Sequence, residues 1–270
     1  MMTKLILVGC GNMGYAMLAG WCGAGSVEAS DVIVVEPFEP LRDRASVLGV
    51  TAVAVPAEIA PGTAAELVIF AVKPQMIGEV IDDYRRFADT GAAVVSIIAG
   101  TRIAFFEQRL GGNVPIIRCM PNTPAAIGRG MMVTVANAHV DAGTAATVAD
   151  LLAASGEVAT VENEDLMDAV TAVSGSGPAY VFHFIECLTA AGIDAGLPAG
   201  TAAMLAGQTV YGAASLARES DEEPGRLREQ VTSPNGTTAA ALAVLMGEDR
   251  LKTLVSEAVD AARKRSIELG

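Results

Sequence analysis

The chain has 270 residues, 51% of them hydrophobic and 18% charged. That is long enough to close a sizeable core without disulfides or metal, and too apolar for a disordered chain. Eighteen Lys and Arg against 31 Asp and Glu leave a net charge of −13, which speaks against a cation-lined groove for nucleic acid. No run of about 18 apolar residues occurs, so no membrane span is expected.

The first apolar run, at 5–8, follows Lys4 and breaks at Gly9. It is broken too early for the core of a signal peptide and reads as a strand. Short runs rich in Val and Ile recur at 32–35, 67–72, 93–98, 116–119 and 131–135. Most of the intervening segments are long enough for a helix or a crossover. This is the βαβ spacing of a parallel, doubly wound sheet, and the first five runs are almost continuously apolar, broken only by Ser96 and Arg118, as strands covered on both faces are. Beyond 162 the strand signals stop. The segments 165–173, 178–191, 198–217, 227–231, 238–246 and 250–267 read as helices, with Pro178 and Pro198 in first turns. The expected fold is α/β: a Rossmann-type doubly wound sheet over 1–162, followed by an all-α helical domain over 163–270, with the boundary near 160–165.

From 130 to 217 the chain has no Lys or Arg but nine acids. A monomeric bundle normally shows basic residues on its wet faces, so these helices are expected to be buried by a partner chain. Cys10, Cys22, Cys119 and Cys187 sit among apolar neighbours without a CxxC pair. They read as small buried hydrophobes in a reducing compartment, the cytoplasm. With only His139 and His183, a His-based metal site is not expected.

Gly9-Cys10-Gly11-Asn12-Met13-Gly14 is a GxGxxG motif directly after the first strand and opening a helix. Its glycines suit a tight turn, close approach of a diphosphate and helix–strand packing, with the anion on the helix N-terminus. Glu36 lies 22 residues past Gly14 at the end of the second strand, where a ribose-binding acid belongs. Ala71-Val72-Lys73-Pro74, Ser96-Ile97-Ile98-Ala99-Gly100 and Arg118-Cys119-Met120-Pro121-Asn122-Thr123-Pro124 end the next three strands. Ligands bind at that edge of open α/β sheets. In the second half, Gly175-Ser176-Gly177 precedes a long apolar helix. Ser233-Pro234-Asn235-Gly236-Thr237-Thr238 precedes the apolar run 239–246. The latter suits a carboxylate, although an ordinary Ser or Thr cap would have the same pattern.

These segments, in this order, resemble pyrroline-5-carboxylate reductase, and the resemblance runs from residue 5 to about 246. It implies hydride transfer from NADPH or NADH to the C=N carbon of 1-pyrroline-5-carboxylate, giving L-proline. It further implies that Gly9, Cys10, Gly11, Asn12, Met13, Gly14, Ala71, Val72, Lys73 and Pro74 hold the cofactor. Ser233, Asn235, Gly236, Thr237 and Thr238 would bind the substrate carboxylate, Thr238 would place a hydroxyl near the imine nitrogen, and Gly175, Ser176 and Gly177 would shape the pocket. A homodimer through the helical domain, or a ring of such dimers, is implied as well. Asn235 stands where Gly is commoner, and Asn tolerates positive φ. Glu36-Pro37 stands where many members carry small, polar or basic residues, which predicts a tilt towards NADH. Rival readings are a β-hydroxyacid-type dehydrogenase, a non-catalytic NAD(P) sensor and a structural helical assembly. The absence of Lys between Lys73 and Lys252 weighs against the first, whose members usually use a catalytic Lys.

Overall fold

A computed structural model describes residues 2–269, with side chains from Leu5 onward. The strands are β1 (Met2–Val8), β2 (Val32–Val35), β3 (Thr51–Val53), β4 (Ala64–Phe70), β5 (Ala93–Ser96), β6 (Ile116–Met120), β7 (Gly130–Ala136) and β8 (Gly156–Thr160). They form one sheet in the order β3-β2-β1-β4-β5-β6-β7-β8. All neighbours are parallel except β6 and β7. The nine residues between that pair are too few for a parallel crossover, which takes a dozen or more.

Successive residues of β1 feed opposite faces of the sheet. Leu5 and Leu7 enter one core with Met17, Leu18, Trp21, Val34 and Ile69. Ile6 and Val8 enter another with Phe70, Tyr84, Phe87 and Phe106. Each large side chain buried this way contributes about 1.5–3 kcal/mol, and together they fix the strand register. That register aligns Val8 with both Val35 and Phe70, Phe70 with Ser96, and Ser96 with Arg118. The loops after β1, β2, β4, β5 and β6 therefore leave the sheet along one edge.

Sequence reading missed two strands. β3 is three residues long and partly exposed, at the start of the short Ala/Val run 52–55, and β8 is a partly exposed edge strand with Glu157 and Ala159 exposed on one face; β3 is too short, and β8 too interrupted by Glu157 and Thr160, to read as a covered strand. The segment expected to be a helix over 165–173 is a 3₁₀ turn, one α-helical turn and a π-helical stretch, Thr171–Gly175. Cys10 and Cys119 are buried and Cys22 half-buried, but Cys187 is exposed, because its helix packs too few neighbours to cover it.

The chain forms two compact units, one running to Ser176 and resuming at Ala262, the other Gly177–Ala261. The pattern change near 162 is not where they divide. Met167 is buried in the second core, with Val161 and Val170 against it. The hydroxyl of Ser266 donates to Asp168 at 2.6 Å. Arg118, buried on β6, pairs with Glu164 at 2.9 Å, and the same carboxylate oxygen accepts the Ile103 N–H. These contacts tie 163–176 and the C-terminal turns to the sheet.

The second unit contains α-helices Gly177–Asp194, Ala199–Glu219, Pro224–Gln230 and Thr237–Met246 and most of Arg250–Leu269. Pro178 lies in the first turn of its helix, whereas Pro198 caps its own. Among the described residues of this unit the only buried apolar ones are Ala202 and Ala206. Phe182, Met204, Tyr211 and Leu254 are exposed. Among the described residues no helix is long and apolar enough to cross a membrane.

Candidate active site

The glycine loop turns sharply out of β1 into the helix Asn12–Gly23, here α1. Gly9 has φ +89°, and a Cβ there would lie 2.9 Å from the Ala71 carbonyl oxygen and from Val72 Cγ1. A Cβ on Gly14 would lie 2.5 Å from the Gly9 carbonyl oxygen. These two glycines are demanded by the turn and by helix–strand packing. Gly11 differs: a Cβ there would meet nothing within 4 Å. It is the N-cap of α1, and no side chain caps that helix. The loop thus presents free helix N-terminal amides across an open face, a cradle that fits a diphosphate. Its position also fits, because the strand order reverses between β2 and β4 on either side of β1, and such a switch point is where dinucleotides bind.

The Gly9 N–H donates to the Val35 carbonyl at 2.9 Å and the Ala71 N–H to the Val8 carbonyl at 2.8 Å. The structure therefore brings residues 9–14 against Ala71 and Val72. Lys73 and Pro74 follow, both exposed. Glu36 is buried, and its two oxygens accept the N–H groups of Cys10 at 2.8 Å and Phe38 at 3.0 Å. On the helix Glu39–Ser46, here α2, Arg42 donates to the carbonyls of Glu36 and Pro37. Arg44 donates to those of Cys10 and Gly11, with its guanidinium carbon 3.9 Å above the Tyr15 ring. Burial pushes the Cys10 thiol up to about 11, with Arg44 lowering it and Glu36 raising it. This cysteine is a neutral spacer in the loop.

Along the same edge lies Asn122, named from sequence only as part of the 118–124 segment. Its amide nitrogen donates to the carbonyl and hydroxyl of Ser174, and its oxygen accepts the Met131 N–H at 2.9 Å. A Cβ on Gly175 would lie 2.5 Å from Met120 Cε. The Ser176 N–H closes the π-helical turn on the Thr171 carbonyl at 2.8 Å. Such π-turns occur often at functional sites. The loop after β6 thereby holds Gly175 and Ser176 in place, and Gly177 opens the second unit.

Within that second unit, residues 233–238 form a tight turn. Asn235 has φ 58°, the left-handed conformation its side chain tolerates. The Gly236 N–H donates to the Ser233 carbonyl at 3.0 Å, and a Cβ on Gly236 would lie 2.4 Å from the Ser233 hydroxyl. Gly236 is the N-cap of Thr237–Met246, here α3, and no side chain caps this helix. The ordinary Ser or Thr cap is therefore absent. The Thr238 hydroxyl has no hydrogen bond among the described residues.

A doubly wound sheet with a glycine cradle and an open helix N-terminus at its switch point defines a dinucleotide-binding domain of the Rossmann type. Residues 4–100 match the family described as NADP oxidoreductase, coenzyme F420-dependent, and residues 164–269 that described as pyrroline-5-carboxylate reductase dimerisation. The pyrroline-5-carboxylate reductase of Pseudomonas aeruginosa is 39% identical over 267 residues, covering 98% of this chain and 96% of that one. A pyrroline-5-carboxylate reductase structure from Coxiella burnetii superposes with a TM-score of 0.93 at 32% identity, covering 99% and 98% of the two chains. Plasmodium falciparum pyrroline carboxylate reductase with NADP bound superposes with 0.85 at 29% identity, with the same coverage. The chain belongs to the pyrroline-5-carboxylate reductase family, and its helical region is an oligomerisation domain.

Proposed function

We propose that the chain reduces 1-pyrroline-5-carboxylate to L-proline with NAD(P)H, the last step of proline biosynthesis. The observation that carries this reading is the uncapped turn at 233–238. Its free amides and unspent Thr238 hydroxyl suit the carboxylate that distinguishes this substrate from a plain cyclic imine. Ser233, Asn235, Gly236, Thr237 and Thr238 bind that carboxylate, and Gly175, Ser176 and Gly177 shape the pocket. Gly9, Cys10, Gly11, Asn12, Met13 and Gly14, with Glu36 and Ala71, Val72, Lys73 and Pro74, form the cofactor site. NAD(P)H, when bound, supplies the hydride. The cyclic imine carries its own activation once protonated, so the chain's task is to hold carboxylate and ring in line for transfer. Thr238 places its hydroxyl near the imine nitrogen. Functionally, 1–162 serves the dinucleotide and 163–270 the substrate and assembly.

The assembly is a homodimer through the helical region, or a ring of dimers; the exposed apolar side chains of 177–261 support it. Four free cysteines support a reducing, cytoplasmic setting, and the net charge of −13 leaves nucleic acid without a role. Following the absorbance of NADH and of NADPH with 1-pyrroline-5-carboxylate tests the reading. Oxidation that depends on the imine supports it. Nucleotide binding without turnover would establish a sensor instead, and turnover of a β-hydroxyacid would establish the other dehydrogenase class.

A further inference from the structure

The acid at the end of β2 is conventionally a ribose ligand that excludes a 2′-phosphate. Here its surroundings assign it other work. Both Glu36 oxygens accept backbone N–H groups, one of them from Cys10 inside the glycine loop. The same peptide stretch is held from its carbonyl side by Arg44, whose Nη2 lies 3.2 Å from the Cys10 oxygen and 3.4 Å from that of Gly11. Stacking on Tyr15 fixes the Arg44 guanidinium over α1. Arg42, hydrogen-bonded to the Glu36 and Pro37 carbonyls at 2.9 and 3.0 Å, adds a second cation at the end of β2. Glu39 and Asp43 on the same helix are exposed, so the charge beside the loop is one buried carboxylate against two half-buried guanidiniums.

We infer that Glu36 and Arg44 are a two-sided clamp that positions the glycine loop, and that Glu36 does not select NAD(H) against NADP(H). The inference rests on the cofactor site proposed above. A carboxylate already receiving two N–H bonds is a weaker acceptor for a ribose diol, and the flanking cations offset its repulsion of a 2′-phosphate. Glu36 is thus a positioning residue acting through Cys10. The tilt towards NADH expected from sequence gives way to acceptance of both cofactors.

Equilibrium binding of NAD⁺ and NADP⁺ by calorimetry, with hydrogen exchange of the loop amides, tests the clamp. In the nucleotide-free protein the Cys10 amide exchanges slowly while those of Asn12 and Met13, at the open helix start, exchange fast. Glu36→Gln keeps one acceptor oxygen and Glu36→Ala none. Both weaken NAD⁺ and NADP⁺ in parallel, the ratio of the two Kd values moving less than about threefold, with Ala the worse. Arg44→Gln leaves Glu36 in place and weakens NADP⁺ the more. A fast Cys10 amide in the unaltered protein overturns the clamp, whatever the variants do. So does a tenfold gain in NADP⁺ affinity with loss of NAD⁺ in either Glu36 variant, which would make Glu36 a ribose ligand. An unaltered protein that binds neither nucleotide overturns the cofactor site and the clamp together, and is told apart by that double failure.

Discussion

Replacing Thr238 by Val removes one hydroxyl and keeps the β-branched shape. The structure sets the expected size of the effect. The helix it belongs to begins at Gly236 with no side-chain cap, so the hydroxyl contributes nothing to capping. A lost Ser or Thr cap ordinarily costs about 1 kcal/mol; that loss does not arise here, and the melting temperature stays within about a degree. If the hydroxyl donates to the substrate carboxylate or sits at the imine nitrogen, a hydrogen bond to a charged group is lost, about 1.5–3 kcal/mol. The value of kcat/KM for 1-pyrroline-5-carboxylate then falls roughly ten- to a hundredfold. The Kd for NADP⁺ is unchanged. Steady-state kinetics at saturating NADPH, nucleotide calorimetry and a thermal melt on the one variant measure all three. Normal kcat/KM with a lowered melting temperature would refute the reasoning, because the hydroxyl would then be structural and the carboxylate would bind elsewhere.

The glycine loop gives a contrast between two substitutions: Gly11→Ala, with open space around its Cβ, should fold normally and lose nucleotide affinity, whereas Gly14→Ala, 2.5 Å from the Gly9 oxygen, should lower the melting temperature as well. Equal stability of the two variants in a thermal melt contradicts the packing argument. Burial holds the Cys10 thiol at about 11 and that of Cys119 at about 12, so both stay protonated and unlabelled by iodoacetamide at pH 8 in the native protein; stoichiometric labelling of either, read by peptide mass, would contradict this. The helical unit buries only Ala202 and Ala206 among its described apolar residues, so the melting temperature should rise with protein concentration. A constant value over about a hundredfold dilution range would show that no partner chain covers it.

What could be read from sequence follows how local each signal is. The glycine loop, the apolar strands and the 233–238 turn were legible because each depends on residues adjacent in the chain: Gly9 for positive φ, Leu5 to Val8 for burial on two faces, Asn235 for the left-handed step. The short edge strands β3 and β8 were not, because β3 is only three residues long and β8 is half-exposed and broken by Glu157 and Thr160. Glu36 was singled out as a ribose-binding acid, but its bond to the glycine loop was not legible. A bond between residues 26 apart, from the Cys10 N–H to its carboxylate, depends on β1 and β2 pairing in one register. The partners of Asn122 escaped for the same reason, since Ser174 lies 52 residues away. Cys187 was misjudged because an apolar neighbourhood in sequence signals burial only where the fold supplies a core to be buried in.

The two loops proposed to bind ligands draw their order from different sources. The glycine loop is seated on a covered sheet and held by the Val35 carbonyl, Glu36 and Arg44 before any ligand arrives. Little conformational entropy is left to lose when an anion binds there, which is the condition for a preorganised site. The 233–238 turn is locally tight, but it leads into a helix with no buried residue, in a unit many of whose large apolar side chains are exposed. Its order is therefore tied to whatever covers those side chains. A second copy of the chain is the cover that the dimerisation-family match supports. On that arrangement, and with the sites as proposed, substrate binding depends on assembly and nucleotide binding does not, and a monomer would still take up its dinucleotide while failing to hold the carboxylate.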